Sequence, residues 1–211
     1  MKIVNSTLMR LIAVGIFASV SIISTNAQEL KTLGSYQPTI IDSEGAAQCL
    51  FQKLSAISFK NNSGCYQRAH FWSFQLSNQD NINSMKVFLF FTARYQREFD
   101  YVWMYHVAPL LPVKKADGSI EEMVFDPTFV SKIYDNKPIS IRDWTKYFIF
   151  PDVECPLVEN YQDYLNYQER YYCYIMKTPM FTYLPENLDI EKEVRTSWRS
   201  GDLDQMKKAL K

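Results

Sequence analysis

Apolar and polar positions divide this chain into a helical beginning, a strand-rich middle and a helical end. Within "EGAAQCLFQKLSAI", Ala46/Ala47, Leu50/Phe51, Leu54 and Ile57 recur at the three- and four-residue spacing of an amphipathic helix. Asp42-Ser43 stands before them as a helix start. Cys49 lies near the edge of the stripe and is expected to be a small, shielded hydrophobe. "SFKNNSG" is a loop by composition. Cys65 follows it directly and opens a second helical pattern that runs to about Leu76.

"MKVFLFFTAR" and "FDYVWMYHVAPLL" are rich in aromatic and β-branched residues and predict strands. "KKADGS" predicts a turn at Asp117-Gly118, and "IEEMVFDPTF" the next strand. "ISIRDWTKYFI" and the tail from Leu188 predict helices; "YQDYLNYQERYYCYIMKTPMFTYLP" between them is tyrosine-rich and without clear period. Helices, then strands, then helices again predict an α+β domain, an antiparallel β-sheet packed with helices, and not a parallel βαβ fold.

The first residues follow a different pattern. Lys2 and Arg10 flank a short positive region, Leu11 to Ile23 is nearly all apolar, and Thr25 and Ala27 offer small residues before a cut. These features predict a secretory signal peptide over residues 1–27 and a single domain over 28–211. The apolar run is short for a membrane span, so no stable membrane association is expected once the leader is removed. The location expected is secreted or periplasmic. Apolar residues make up 47% of the sequence and aromatic residues 15%, enough for a packed core, so disorder is excluded. The formal charge is +0 and no basic stripe interrupts the chain, so nucleic acid is not an expected partner. No zinc-ligand spacing or phosphate loop appears, and no cofactor is expected.

Export changes what cysteines do. Cys49, Cys65, Cys155 and Cys173 allow three complete pairings, or one bridge with two thiols left over. Cys65 follows a glycine at a helix start, where free amides and the helix dipole favour an anion and could hold a developing oxyanion. His70 is five residues further on, about 140° round the helix and more than one turn away. It is expected to pack or hydrogen-bond inside the domain. His106 is the other histidine. A two-residue turn at Asp117-Gly118 would pair it with Phe129. A three-residue loop over Lys115 to Asp117, with Gly118 left-handed, would set Asp126 directly opposite it. The second register makes a His–Asp pair, and with Cys65 a trio able to attack, transfer protons and orient the base. A core histidine and a turn aspartate would carry the same residues.

"GCYQRAH", "YHVAPLL" and "VFDPTF" together resemble the bacterial protein-glutaminase family, secreted deamidases with a core similar to transglutaminases and, more distantly, to papain-like cysteine proteases. The similarity spans roughly Asp42 to Thr178. It implies that Cys65 at a helix N-terminus is the nucleophile, His106 the base and Asp126 the orienting acid, and that His70, within Arg68-Ala69-His70, supports the nucleophile helix. It also implies protein or peptide substrates bearing glutamine and a covalent thioester route to glutamate and ammonia. Gln28 to Ser43 leaves no room for the family's long pro-region, so an inhibitor or immunity protein, or export itself, is expected to restrain activity.

Three other functions share these features. A transglutaminase would let lysine reach the thioester before water, a cysteine protease would cut the backbone, and a secreted binding domain would use its tyrosines as contact surface. If Cys65 acts as a thiolate, the expected bridge is Cys155–Cys173, across the segment of weak periodicity, with Cys49 and Cys65 reduced.

Overall fold

The structure, a computed structural model, describes residues 35–130, 136–187 and 195–211. The expected leader over residues 1–27 lies outside the described residues, as does 188–194 of the expected C-terminal helix. Among the described residues no helix is long and apolar enough to cross a membrane.

Helix α1 (Glu44–Ser55) starts where the Ser43 side chain accepts the Ala46 N–H, and it buries Ala47, Phe51 and Leu54. Cys49 does not share that face: it is exposed, on the solvent side of the helix, contrary to the shielding expected of it. A position at the edge of a stripe is decided by which way the helix rolls onto its sheet, and here the roll turns Cys49 outward. Helix α2 (Cys65–Asp80) follows. Asn81 closes it in the left-handed conformation, which asparagine tolerates.

Six strands form one sheet in the order β4-β3-β2-β1-β6-β5. They are β1 (Met85–Phe91), β2 (Tyr105–Lys114), β3 (Ile120–Val124), β4 (Ile139–Ser140), β5 (Leu157–Val158) and β6 (Cys173–Pro179). All neighbours are antiparallel except β5 and β6, so the α+β class stands with one parallel pair at its edge. Central β1 is buried on both faces. Val87, Leu89 and Phe91 enter the larger core with Phe51, Trp72 and Trp144, while Phe88 and Phe90 enter a second core with Ala69, Tyr164 and Met176. Two covered faces explain why the strand has a continuous apolar run instead of alternation.

Several expectations are corrected. The tyrosine-rich segment is not irregular. It carries α6 (Tyr161–Asn166) and then β6, which pairs with β1 along its whole length. Its near-continuous burial leaves no period to read. The strand expected over "FDYVWMYHVAPLL" begins only at Tyr105, and "TAR" of the preceding strand opens α3 (Ala93–Phe99), capped by Thr92. Beyond β3, Pro127–Val130 forms the short helix α4, and α5 (Ile141–Thr145) follows β4. Near the C-terminus, α7 (Ser200–Lys207) packs on α2.

The β2–β3 loop is of the three-residue kind, but it spans Ala116–Gly118, one residue later than expected. Lys115 and Ser119 close it, and Gly118 adopts φ +86°. Leu110 therefore faces Val124, and the register differs by two from the one that set Asp126 opposite His106. The bridge Cys155–Cys173 is present, with Cys49 and Cys65 free. Its reason differs from the one expected: Cys173 begins a buried central strand, so the bridge ties the loop before β5 to the core.

Candidate active site

The first turn of a helix has backbone N–H groups with no carbonyl to receive them. Cys65 is the first residue of α2, its N-cap is Gly64, and no side chain caps from that position. An anion at Cys65 therefore sits among unsatisfied donors at the positive end of the dipole. A methyl group on Gly64 would run into the Tyr66 ring, so a larger residue here would require that ring to move. The Cys65 sulfur lies 3.9 Å from the carbonyl oxygen of Tyr105. That contact puts it at the start of β2, beside His106.

His106 is almost wholly buried. Its Nε2–H donates to Asp126 Oδ2 at 2.7 Å. Asp126 is not on a strand. It stands between the end of β3 and α4, and its side chain reaches across to β2 because the two-residue shift leaves it diagonal to His106 on the same face. Nε2 being occupied, Nδ1 is the ring nitrogen open to Cys65. Among the described residues it has no conventional hydrogen-bond partner, yet the Cys65 side chain is close enough to act on the ring. Burial pushes the imidazole down. The Asp126 carboxylate, its hydrogen bond and Cys65 outweigh that, and the His106 pKa rises to about 9.

Aromatic rings enclose the His–Asp pair. Phe129 and Phe148 lie 4.8 Å from the imidazole, centroid to centroid, and Trp144 5.6 Å. Trp144 also donates its indole N–H to Asp126 Oδ2 at 3.0 Å. Neither Trp144 nor Phe148 was singled out from the sequence. Their four-residue spacing in "IRDWTKYFI" looks like a helix face, and nothing in it shows that the face closes over Asp126.

The cleft in front of the pair has a volume of about 420 Å³. Ser63 to Tyr66 and Arg68 line one side and Val102 to His106 the other. Val102 is 83% exposed and forms the lip. The Arg68 guanidinium is held by the carbonyl and hydroxyl of Ser63.

His70 lies away from this cleft, as the helix geometry predicts. It is buried between Tyr183 and Trp198, each 4.9 Å away, and its Nδ1 is 2.6 Å from Lys86 Nζ. Burial and the lysine push its pKa down to about 2, so the ring is neutral and accepts the lysine proton. The Lys86 pKa is lowered by its own burial.

A cysteine at a helix start facing a buried, carboxylate-held imidazole is the equipment of cysteine-dependent acyl transfer. The comparisons narrow this class. The family model described as glutaminase matches residues 43–148, half of the chain and the span that holds Cys65, His106 and Asp126. The chain belongs to that family and is an enzyme that deamidates glutamine. Its fold is similar to a crystal structure of protein-glutaminase, 17% identical, with a TM-score of 0.50, over 81% of this chain and 86% of that one. It is also similar to the NMR structure of protein-glutaminase from Chryseobacterium proteolyticum, 18% identical, with a TM-score of 0.50, over 79% and 85%. At these identities the likeness is one of fold. No curated protein matches the chain.

Proposed function

We propose that this protein is a secreted or periplasmic protein-glutamine deamidase, with Cys65 as nucleophile, His106 as general acid and base, and Asp126 as the group that orients the imidazole. The observation that carries this reading is the meeting of Cys65, at the free start of α2, with the buried His106–Asp126 pair in one cleft. The Cys65 thiolate attacks the carboxamide carbon of a glutamine side chain, and the carbonyl oxygen becomes an oxyanion facing the α2 amides. His106, as imidazolium, gives its proton to the nitrogen. The C–N bond breaks, ammonia leaves and a thioester remains. His106 then takes a proton from water, the hydroxide adds to the thioester carbon, and the thiolate departs to leave glutamate. Protein-bound glutamine is supported by the open, lipped shape of the cleft, which receives a side chain from outside.

The test is incubation with a glutamine-rich protein, with ammonia, intact mass and gel pattern read together. Ammonia with a gain of about 1 Da per modified side chain, and an unchanged chain length, is the expected result; the gain follows from replacing an amide by an acid through hydrolysis of the acyl intermediate. Lysine-linked dimers as the main product would make the enzyme a transglutaminase, fragments a protease, and no change in any readout a binding domain.

A further inference from the structure

The last residues of the chain fold back onto the segment that leads to Cys65. Lys60 N–H donates to Ala209 O at 2.7 Å, Phe59 and Leu210 form an antiparallel bridge, and Lys60 Nζ donates to Lys208 O at 2.8 Å. Met206 and Ala209 are buried. Trp198 packs edge-on against His70 and Phe74 of α2. The C-terminal partners, Trp198, Met206, Lys208, Ala209 and Leu210, lie beyond the part of the chain that the family model matches.

One side chain connects this C-terminal segment to the start of α2. Gly64 has no side chain with which to cap the helix, so only the reciprocal half of a capping box can form. Gln67, at the third helical position, supplies it: its Oε1 accepts the Gly64 N–H at 2.9 Å. Its Nε2 donates to the Gln205 carbonyl at 3.1 Å. That carbonyl is among the last four of α7, which have no partner within their own helix. A single amide therefore satisfies an orphan donor at one helix start and an orphan acceptor at another helix end. Methionine could fill the space and make neither bond. Glutamate could keep the first and not the second.

We propose that Gln67 is a positioning residue for Cys65, and that α7 is the support it is held by. The reading rests on Cys65 being the nucleophile. Gln67 is not among the residues that line the cleft. It holds the N–H of the Ser63–Gly64 peptide, one residue before Cys65, and so restrains the turn that sets where the sulfur and the Cys65 N–H point. Small displacements of a reacting group cost rate steeply, as far as a hundredfold for about 1 Å.

The test uses the full chain with Cys49→Ser, which removes the exposed second thiol, and compares Gln67→Met and Gln67→Glu. Two rates are read: kcat with a glutamine peptide, and alkylation of Cys65 by iodoacetamide on its high-pH plateau, where the added glutamate charge does not change the thiolate fraction. The alkylation rate does not depend on glutamine being the substrate, so it separates failure of this proposal from failure of the deamidase reading. Gln67 is half-buried, and both variants are expected to melt close to the parent. In Gln67→Met both rates are expected to fall about tenfold, with KM within about twofold, because position and not binding is lost. Gln67→Glu is expected to leave most of that loss in place. Parental rates in Gln67→Met would overturn the proposal. Full recovery in Gln67→Glu would overturn the part played by α7, since the Gly64 cap alone would then suffice.

Discussion

Trp144 donates its indole N–H to Asp126 Oδ2, the same oxygen that receives the His106 N–H. Both donors are buried, and among the described residues the other carboxylate oxygen has no partner of its own. The carboxylate is thus held by two N–H groups on one side. Hydrogen bonds to a charged group contribute about 1.5–3 kcal/mol each, so the tryptophan is no minor part of its orientation. Trp144→Phe keeps a ring in the cage and removes the donor. A fall in kcat of about tenfold or more is expected, with KM nearly unchanged, because Trp144 is not among the residues that line the cleft. Steady-state kinetics on a glutamine peptide checks it; an unchanged kcat would mean that His106 alone orients the carboxylate.

The two histidines should part company on mutation. Cys65→Ala, His106→Ala and Asp126→Asn are each expected to lower turnover by about 10³-fold or more while the chain stays folded, as removal of one member of such a trio does. His70→Ala should do the reverse. It deprives the buried Lys86 side-chain nitrogen of an acceptor, leaving the Thr182 carbonyl, and a buried group left short of partners costs about 1–3 kcal/mol. The melting temperature should drop, and kcat below the melting range should stay within severalfold. Paired melting curves and rate measurements separate the two patterns.

The pH dependence follows from His106. Its pKa in the folded chain, about 9, lies above its ordinary value of 6.5. A raised pKa means that the folded state holds this proton more tightly than the unfolded chain does. The stability contributed by the charged pair is therefore complete below about pH 6.5 and is lost as pH rises through about 9. Melting curves from pH 6 to 10 should show the advantage of the parent over Asp126→Asn shrinking across that window. Turnover should also fall on the alkaline side near pH 9, where the imidazolium proposed to protonate the departing amide nitrogen disappears.

The Cys155–Cys173 bridge closes a loop of 18 residues that contains α6. Its removal by Cys155→Ala should destabilise the chain by about 3 kcal/mol on the chain-entropy account, read as a shift in denaturant midpoint. Cys49 is exposed and free, so non-reducing peptide mapping of active protein should find the 155–173 linked peptide and alkylated Cys49 and Cys65. A Cys49–Cys65 linked peptide in fully active protein would remove Cys65 from the chemistry.

Some of this molecule was settled by local patterns in the chain. The stripe of Ala47, Phe51 and Leu54 and the Ser43 cap defined α1, because an amphipathic helix writes its buried face into its own spacing. The glycine before Cys65 marked a helix start, and helix geometry alone kept His70 away from the sulfur. His106 and Asp126 could be named as partners by type and rough separation. What the chain could not carry was anything decided by two segments meeting. β6 is buried on both faces, so it has no alternation, and only its pairing with β1 makes it a central strand. One residue's shift in the β2–β3 loop moved the register by two, and Asp126 reaches His106 from beyond the strand end. The roll of α1 put Cys49 outside, and the closure of α5 brought Trp144 to Asp126. The Gln67–Gln205 bond joins residues 138 positions apart, where no local periodicity reaches. Propensity and spacing act over a few turns of chain; register, helix roll and long-range hydrogen bonds are fixed only when whole faces are buried together.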